Sequence, residues 1–135
     1  MNKIRNDVKY SIKALMYLYE NKSSKTIKAE EIALAENIPV NFLYTILRKL
    51  KKHNYIETIP GVKGGYSLGS CINEVTLLDL VTILSGDIDL NNCCIKNNKC
   101  KRYNKCKIGK EFKRVENILK KELSENKLID LLKSK

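Results

Sequence analysis

Residues 93–106 read "CCIKNNKCKRYNKC", and four of the chain's five cysteines lie in this stretch. Cys94, Cys100 and Cys106 follow a C-x5-C-x5-C spacing, Cys93 adjoins the first of them, and Cys71 stands apart. Four kinds of chemistry use clustered thiols: a disulfide loop, a zinc knot, an iron–sulfur site and a redox switch. Zinc knots usually open with C-x2-C or C-x4-C, and that pair is missing here; His53, the chain's one histidine, lies far from the stretch. A structural disulfide is unusual in a reducing compartment. Three thiolates can hold an iron–sulfur cluster when a fourth ligand comes from elsewhere. Between 91 and 114 there are nine Lys or Arg and one acid, Glu111. Nearby positive charge favours the thiolate form and offsets the negative charge of thiolate-ligated iron. The competing reading is that these lysines are solvated or touch phosphates, while the thiols respond to oxidation.

Any such site needs elements to hold it. Residues 7–20 carry Val8, Ile12, Leu15, Met16 and Tyr19 at helical spacing, with Asp7 placed as a cap. After a polar loop, "NKSSK", a short helix follows, "AEEIALAEN", with Ile32 and Leu34 as apolar points and Asn37 as its left-handed end. Pro39 suits the first turn of the next helix, "PVNFLYTILRKLKKHN". That helix turns Phe42, Leu43, Ile46, Leu47 and Leu50 inward and leaves Tyr44, Thr45, Arg48, Lys49, Lys51 and Lys52 for its outer faces. Two helices with a short joint, the second one basic, have the form of a helix-turn-helix. Then "YIETIPGVKGGYSLG" gives two strand-like runs around a Gly-rich turn, which is the order of a winged helix. "TLLDLVTILSG" reads as a helix capped by Thr76 and stopped at Gly86. Beyond the cysteines, Ile108, Phe112, Val115, Leu119 and Leu123 stand in helical register with Ile118 beside them, on a helix long enough to pack against a second copy. Ser124 is placed to cap a last short helix.

The expected fold is therefore mainly α: a winged helix-turn-helix with a two-stranded β wing and a long C-terminal dimerisation helix. The chain divides into a DNA-binding domain over 1–70 and a cysteine-loop and dimerisation part over 71–135. The 135 residues are 43% hydrophobic and 30% charged, with a formal net charge of +11, a balance that suggests a polyanionic partner or a lysine-rich solvated surface. No window reaches the apolar length of a membrane span, and the N-terminal stretch is not a signal peptide, so a cytoplasmic location is expected. No nucleophile–base pairing and no phosphate-binding glycine motif is visible, so no enzyme is expected.

In this order of parts the sequence resembles the Rrf-two family of winged-helix transcription regulators, which includes an iron–sulfur-cluster biogenesis regulator and a nitric-oxide-sensing repressor. The likeness runs through "YSIKALMYL", the helix-turn-helix and wing up to the Gly64-Gly65-Tyr66 ending, "VTLLDLVTILSGDIDL", the cysteine spacing and "SENKLIDLL". The resemblance implies a homodimer joined near residues 107–123, binding to a two-fold double-stranded operator, and DNA affinity set by a cluster on Cys94, Cys100 and Cys106. That cluster would be 2Fe–2S in preference to 4Fe–4S. The family's fourth ligands do not carry over. The biogenesis regulator's histidine position is Gly109 here, and the nitric-oxide sensor's aspartate aligns with Lys9, two residues after Asp7. Asp7 of the partner subunit and Cys93 are the candidates, ahead of Cys71. A family glutamate that tunes base selectivity aligns with Tyr44, so the DNA preference is expected to differ.

On this reading Asn41, Tyr44, Thr45 and Arg48 face the major groove, where polar side chains read base edges; packing of Tyr44 inward is the other option. Lys49, Lys51, Lys52 and Lys63 bind phosphates and add salt-dependent affinity. Within the class, the alternative is a cluster-free regulator that senses thiol oxidation or a partner protein. Outside it, the alternative is an iron–sulfur carrier or electron-transfer protein, which leaves the basic wing without a use.

Overall fold

The computed structural model describes residues 5–90, 101, 102 and 105–133. Six helices and a hairpin follow in the order α1 (Asn6–Glu20), α2 (Ala29–Glu36), α3 (Val40–Lys52), β1 (Ile56–Ile59), β2 (Gly65–Leu68), α4 (Leu77–Ser85), α5 (Lys107–Ser124) and α6 (Leu128–Leu132). A short 3-10 turn, Ser70–Glu74, links β2 to α4. This is the mainly α winged helix-turn-helix expected from the sequence, with the long helix near its end.

α1 is the central strut and packs against α2, α3, α4, α6 and β2. Its buried face is Val8, Ser11, Ala14, Leu15 and Leu18, not the expected set. Met16 is exposed, and Ile12 and Tyr19 are half-buried. Small residues at 11 and 14 suit a helix touched from several sides, and the Ser11 hydroxyl meets its burial by donating to the Val8 carbonyl at 2.8 Å. Asp7 is not the cap. The helix starts one residue earlier, behind Arg5, and Asp7 lies in the first turn, where its Oδ1 accepts the Val8 N–H at 3.0 Å.

Around α1 a single buried cluster joins Leu43, Ile46, Leu47 and Leu50 of α3 to Leu80, Val81 and Leu84 of α4 and Leu128 and Leu132 of α6. Thr76 caps α4 as expected. Its side chain accepts the Asp79 N–H at 3.1 Å, and the Asp79 carboxylate accepts the Thr76 N–H at 2.9 Å, a reciprocal capping box. Ser124 does not cap α6. It is the last residue of α5, its hydroxyl donates to the Lys121 carbonyl at 2.7 Å, and Lys127 precedes α6 with no side-chain cap. α6 is instead held by the Leu128 N–H, which donates to the Val75 carbonyl at 2.7 Å.

The wing pairs Ile56 with Leu68 and Ile59 with Gly65, antiparallel. Ile27 adds one residue of a third strand, exchanging hydrogen bonds with Tyr66 at 2.9 and 2.7 Å. The Gly-Gly-Tyr ending follows from this close approach. A Cβ on Gly64 would sit 1.8 Å from the Ile59 carbonyl oxygen, and one on Gly65 would sit 2.7 Å from that of Ile27. Backbone in both directions leaves no room for a side chain, so the wing is fixed against the loop that leads into α2.

Candidate functional site

The joint between α2 and α3 sets the site. Asn37 takes the left-handed conformation (φ 56°, ψ 52°) that ends α2, and the Ile38 N–H donates to the Ala33 carbonyl at 2.9 Å. Ile38 is buried, and Pro39 is the N-cap just before α3, one residue ahead of the first turn expected for it. In α3, Leu43, Ile46, Leu47 and Leu50 are buried, and with them pointed inward the opposite faces must be presented outward. Phe42 was expected inside and is instead 61% exposed, its ring tilted against that of Tyr10 with centroids 6.4 Å apart. Leu34 of α2 is likewise 87% exposed, because an eight-residue helix buries only Ala29 and Ile32.

Asn41, Tyr44, Thr45, Arg48, Lys51 and Lys52 are all exposed, and Lys49 is half-buried. They divide between two sides of α3. Tyr44, Arg48 and Lys51 line a groove of about 460 Å³ whose other wall is the wing, at 58–61 and 64–66, with Lys28 and Glu30 at the start of α2 also lining it. Thr45 and Lys49 line a second recess, with Phe42 and the start of α1 at Arg5, Asn6 and Asp7. Asn41 is in the first turn of α3, and its carbonyl accepts the Thr45 hydroxyl at 3.3 Å. Lys63 is exposed at the wing tip, and its carbonyl accepts the Thr26 hydroxyl at 3.1 Å, which ties the tip to the same loop as Ile27. Three lysines, Lys49, Lys51 and Lys52, sit in the last turn of α3, where positive charge also suits the negative end of the helix dipole.

Sequence reasoning missed Lys28, Glu30 and Tyr66 as groove residues. The Tyr44 hydroxyl donates to Glu30 Oε2, and across the same helix the Tyr17 hydroxyl donates to Glu31 Oε2 at 2.6 Å. These bonds bind α2 to α3 on one side and to α1 on the other. The carboxylate beside each phenol holds Tyr44 and Tyr17 above the ordinary tyrosine value, and the Tyr44 bond holds the Glu30 carboxyl below its own. Each partner lies fourteen residues away, a separation with no local pattern to announce it.

The cysteine region has a different character. Cys93, Cys94 and Cys100 lie outside the described residues. Cys106 is half-buried at the N-cap of α5, and Cys71 is an exposed free thiol in the 3-10 turn. Among the described residues no three metal-ligating side chains gather. Cys106 nevertheless stands where a helix N-terminus presents unpaired N–H groups and favours anionic charge, in a run of basic residues. That chemistry fits a thiolate-ligated iron group. Gly109 is buried one turn on and offers no ligand.

α5 buries little else within the chain. Ile108, Phe112, Val115 and Ile118 are 67%, 37%, 40% and 46% exposed, while Leu119 and Leu123 pack against the core. Its buried residues are Gly109 and Glu116. Glu116 accepts from Lys113 at 3.3 Å, from Lys120 at 3.4 Å and from the Leu90 N–H at 3.4 Å, and Lys120 reaches Asp87 at 3.1 Å. The network fastens α5 to the chain just before the cysteine stretch. No described helix is long and apolar enough to cross a membrane.

Comparison with known proteins matches residues 4–134 to the Rrf2 family model, described as an iron-dependent transcriptional regulator. Among curated relatives, the chain is 29% identical over 91 residues to the HTH-type transcriptional regulator NsrR of Bacillus licheniformis, a match covering 67% of this chain and 64% of that one. It is 26% identical over 91 residues to NsrR of Bacillus subtilis, covering 67% and 62%. The chain thus spans about three fifths of the length of the curated relatives it matches. These relatives are named as transcriptional regulators and not as enzymes. Among solved structures, CymR of B. subtilis, the global cysteine regulator, superposes with a TM-score of 0.75 at 23% identity, covering 98% of this chain and 97% of that one. IscR of T. potens superposes with a TM-score of 0.72 at 18% identity, covering 97% and 86%. Both share this fold.

Proposed function

This chain belongs to the Rrf2 family, and on that premise we propose that it is a cytoplasmic, homodimeric DNA-binding transcription regulator, a repressor, whose operator affinity is controlled by an iron–sulfur cluster. The observation that carries the DNA reading is the groove between α3 and the wing, with Lys28, Arg48 and Lys51 on its walls. Arg48 and Tyr44 read base edges from the groove side of α3, and Asn41 and Thr45 read them from the exposed face beside it. Lys49, Lys51, Lys52 and Lys63 hold phosphates on either side and fix the register of the protein on the duplex. A second copy completes the molecule by covering Ile108, Phe112, Val115 and Ile118, so that two α3 helices face the two halves of one operator.

Cys94, Cys100 and Cys106 hold the cluster, with Asp7 of the partner subunit or Cys93 as fourth ligand, and 2Fe–2S is the preferred form. When bound, the cluster supplies a redox- and ligand-sensitive centre. The chain's part is to place Cys106 on α5 and to couple α5, through Glu116 and Lys120, to the end of the Asp87–Leu90 segment. Asp7 lies 15% exposed in the recess with Phe42, Thr45 and Lys49, so a ligand there would sit directly against α3.

Two measurements test the two parts. Sequence-specific binding to a two-fold duplex selected from random DNA is expected, and binding without sequence preference would overturn the regulator reading. Anaerobic reconstitution is expected to give visible iron–sulfur absorption with matched iron and sulfide. A colourless, iron-free product would instead favour a cluster-free regulator that responds to thiol oxidation or to a partner protein.

A further inference from the structure

Tyr44 and Glu30 form a pair inside the groove, at the one place where a carboxylate sits among the basic groups Lys28, Arg48 and Lys51. The hydroxyl of a tyrosine has one proton to donate and lone pairs with which to accept. Here the proton is committed to Glu30 Oε2. The direction is fixed by the two groups themselves, since at neutral pH a carboxylate has no proton to give and a phenol keeps its own; the bond accordingly holds the phenol above its ordinary value and the Glu30 carboxyl below its own. What Tyr44 then shows to the groove is an oxygen that accepts and does not donate.

Resting on the DNA-binding reading above, we propose that Glu30 is a specificity-determining positioning residue, which makes Tyr44 an acceptor-only reader and so selects adenine or cytosine at the base it meets. In the major groove adenine and cytosine present an exocyclic amino donor, whereas guanine presents O6 and N7 and thymine presents O4, all acceptors. An acceptor-only oxygen pairs with the first two and is repelled by the others. The neighbouring carboxylate sharpens the contrast, since its charge also disfavours carbonyl edges. A tyrosine without Glu30 would turn its proton either way and discriminate little. Glu30 does not need to touch DNA for this; it acts through Tyr44.

Selection from a double-stranded DNA library of random sequence, followed by sequencing, tests the inference on the wild-type chain and on Y44F, E30A and E30Q. The wild type is expected to favour A or C by about three- to tenfold at one position in each half-site, the worth of one hydrogen bond. Y44F loses that preference, and E30A admits G or T there because the freed hydroxyl can donate. E30Q, which loses the charge but can still accept the phenol proton through its amide carbonyl, keeps a preference for A or C smaller than that of the wild type, and this separates the hydrogen bond from the charge. All other positions stay as in the wild type, which shows that each variant folds and binds. A wild type that selects a defined site in which no position changes in Y44F and E30A overturns the proposal alone. A wild type that selects no site overturns the DNA-binding reading and the proposal with it.

Discussion

Helices α3 and α5 are both amphipathic and both rich in lysine, yet they bury opposite things. α3 turns Leu43, Ile46, Leu47 and Leu50 into the core and shows Tyr44, Thr45, Arg48 and Lys51 to solvent. α5 buries Gly109 and Glu116 and shows Ile108, Phe112, Val115 and Ile118. An inward apolar stripe has found its partner in its own chain, which frees the polar face for a ligand. An outward stripe has not, and it needs another surface to cover it. On the proposed function, the half that faces DNA is assembled within one chain, whereas the half that carries Cys106 needs a second copy to cover its apolar stripe.

Breaking the second half should have the larger effect. Phe112→Asp places a charge in the exposed stripe of α5 and is expected to give a monomer by sedimentation, with operator affinity lower by about 10²- to 10⁴-fold as the two half-sites are no longer bound together. A dimeric variant with unchanged affinity would move the interface elsewhere. Arg48→Ala is expected to cost about 1–3 kcal/mol of specific binding and to relax preference at one base position, read by anisotropy titration against selected and scrambled duplexes. Glu116→Gln weakens a buried, doubly paired carboxylate and is expected to lower unfolding free energy by about 1 kcal/mol in urea while leaving DNA selection unchanged. Lys63→Ala is the smallest change: a nearly uniform loss across sequences, with the salt slope reduced by about 1.

The same contrast explains what could be read from the chain itself. The order helix, turn, basic helix and glycine-tipped hairpin was legible because Asn37, Pro39 and Gly64-Gly65 mark backbone needs that few other residues meet. The α4 cap was legible because Thr76 and Asp79 make a local pattern. Residue-level burial was less so. Helical spacing pointed to Met16, Leu34 and Phe42 as inward, but a helix touched on several sides buries small Ser11 and Ala14, and a short helix has apolar residues to spare. The Glu30–Tyr44 pair was invisible, since it depends on how two helices cross. For the cysteines, spacing singles out Cys94, Cys100 and Cys106 as a set, and no spacing names a fourth ligand that another subunit could supply.

On the proposed function the two halves are joined through the cluster, and one comparison tests that joint most directly. Affinity for the selected operator is measured under anaerobic conditions for the reconstituted protein and for the same protein stripped of iron. A difference of about 5- to 150-fold is expected, the range of an ordinary coupling between two sites. Equal affinities for the two forms would contradict it.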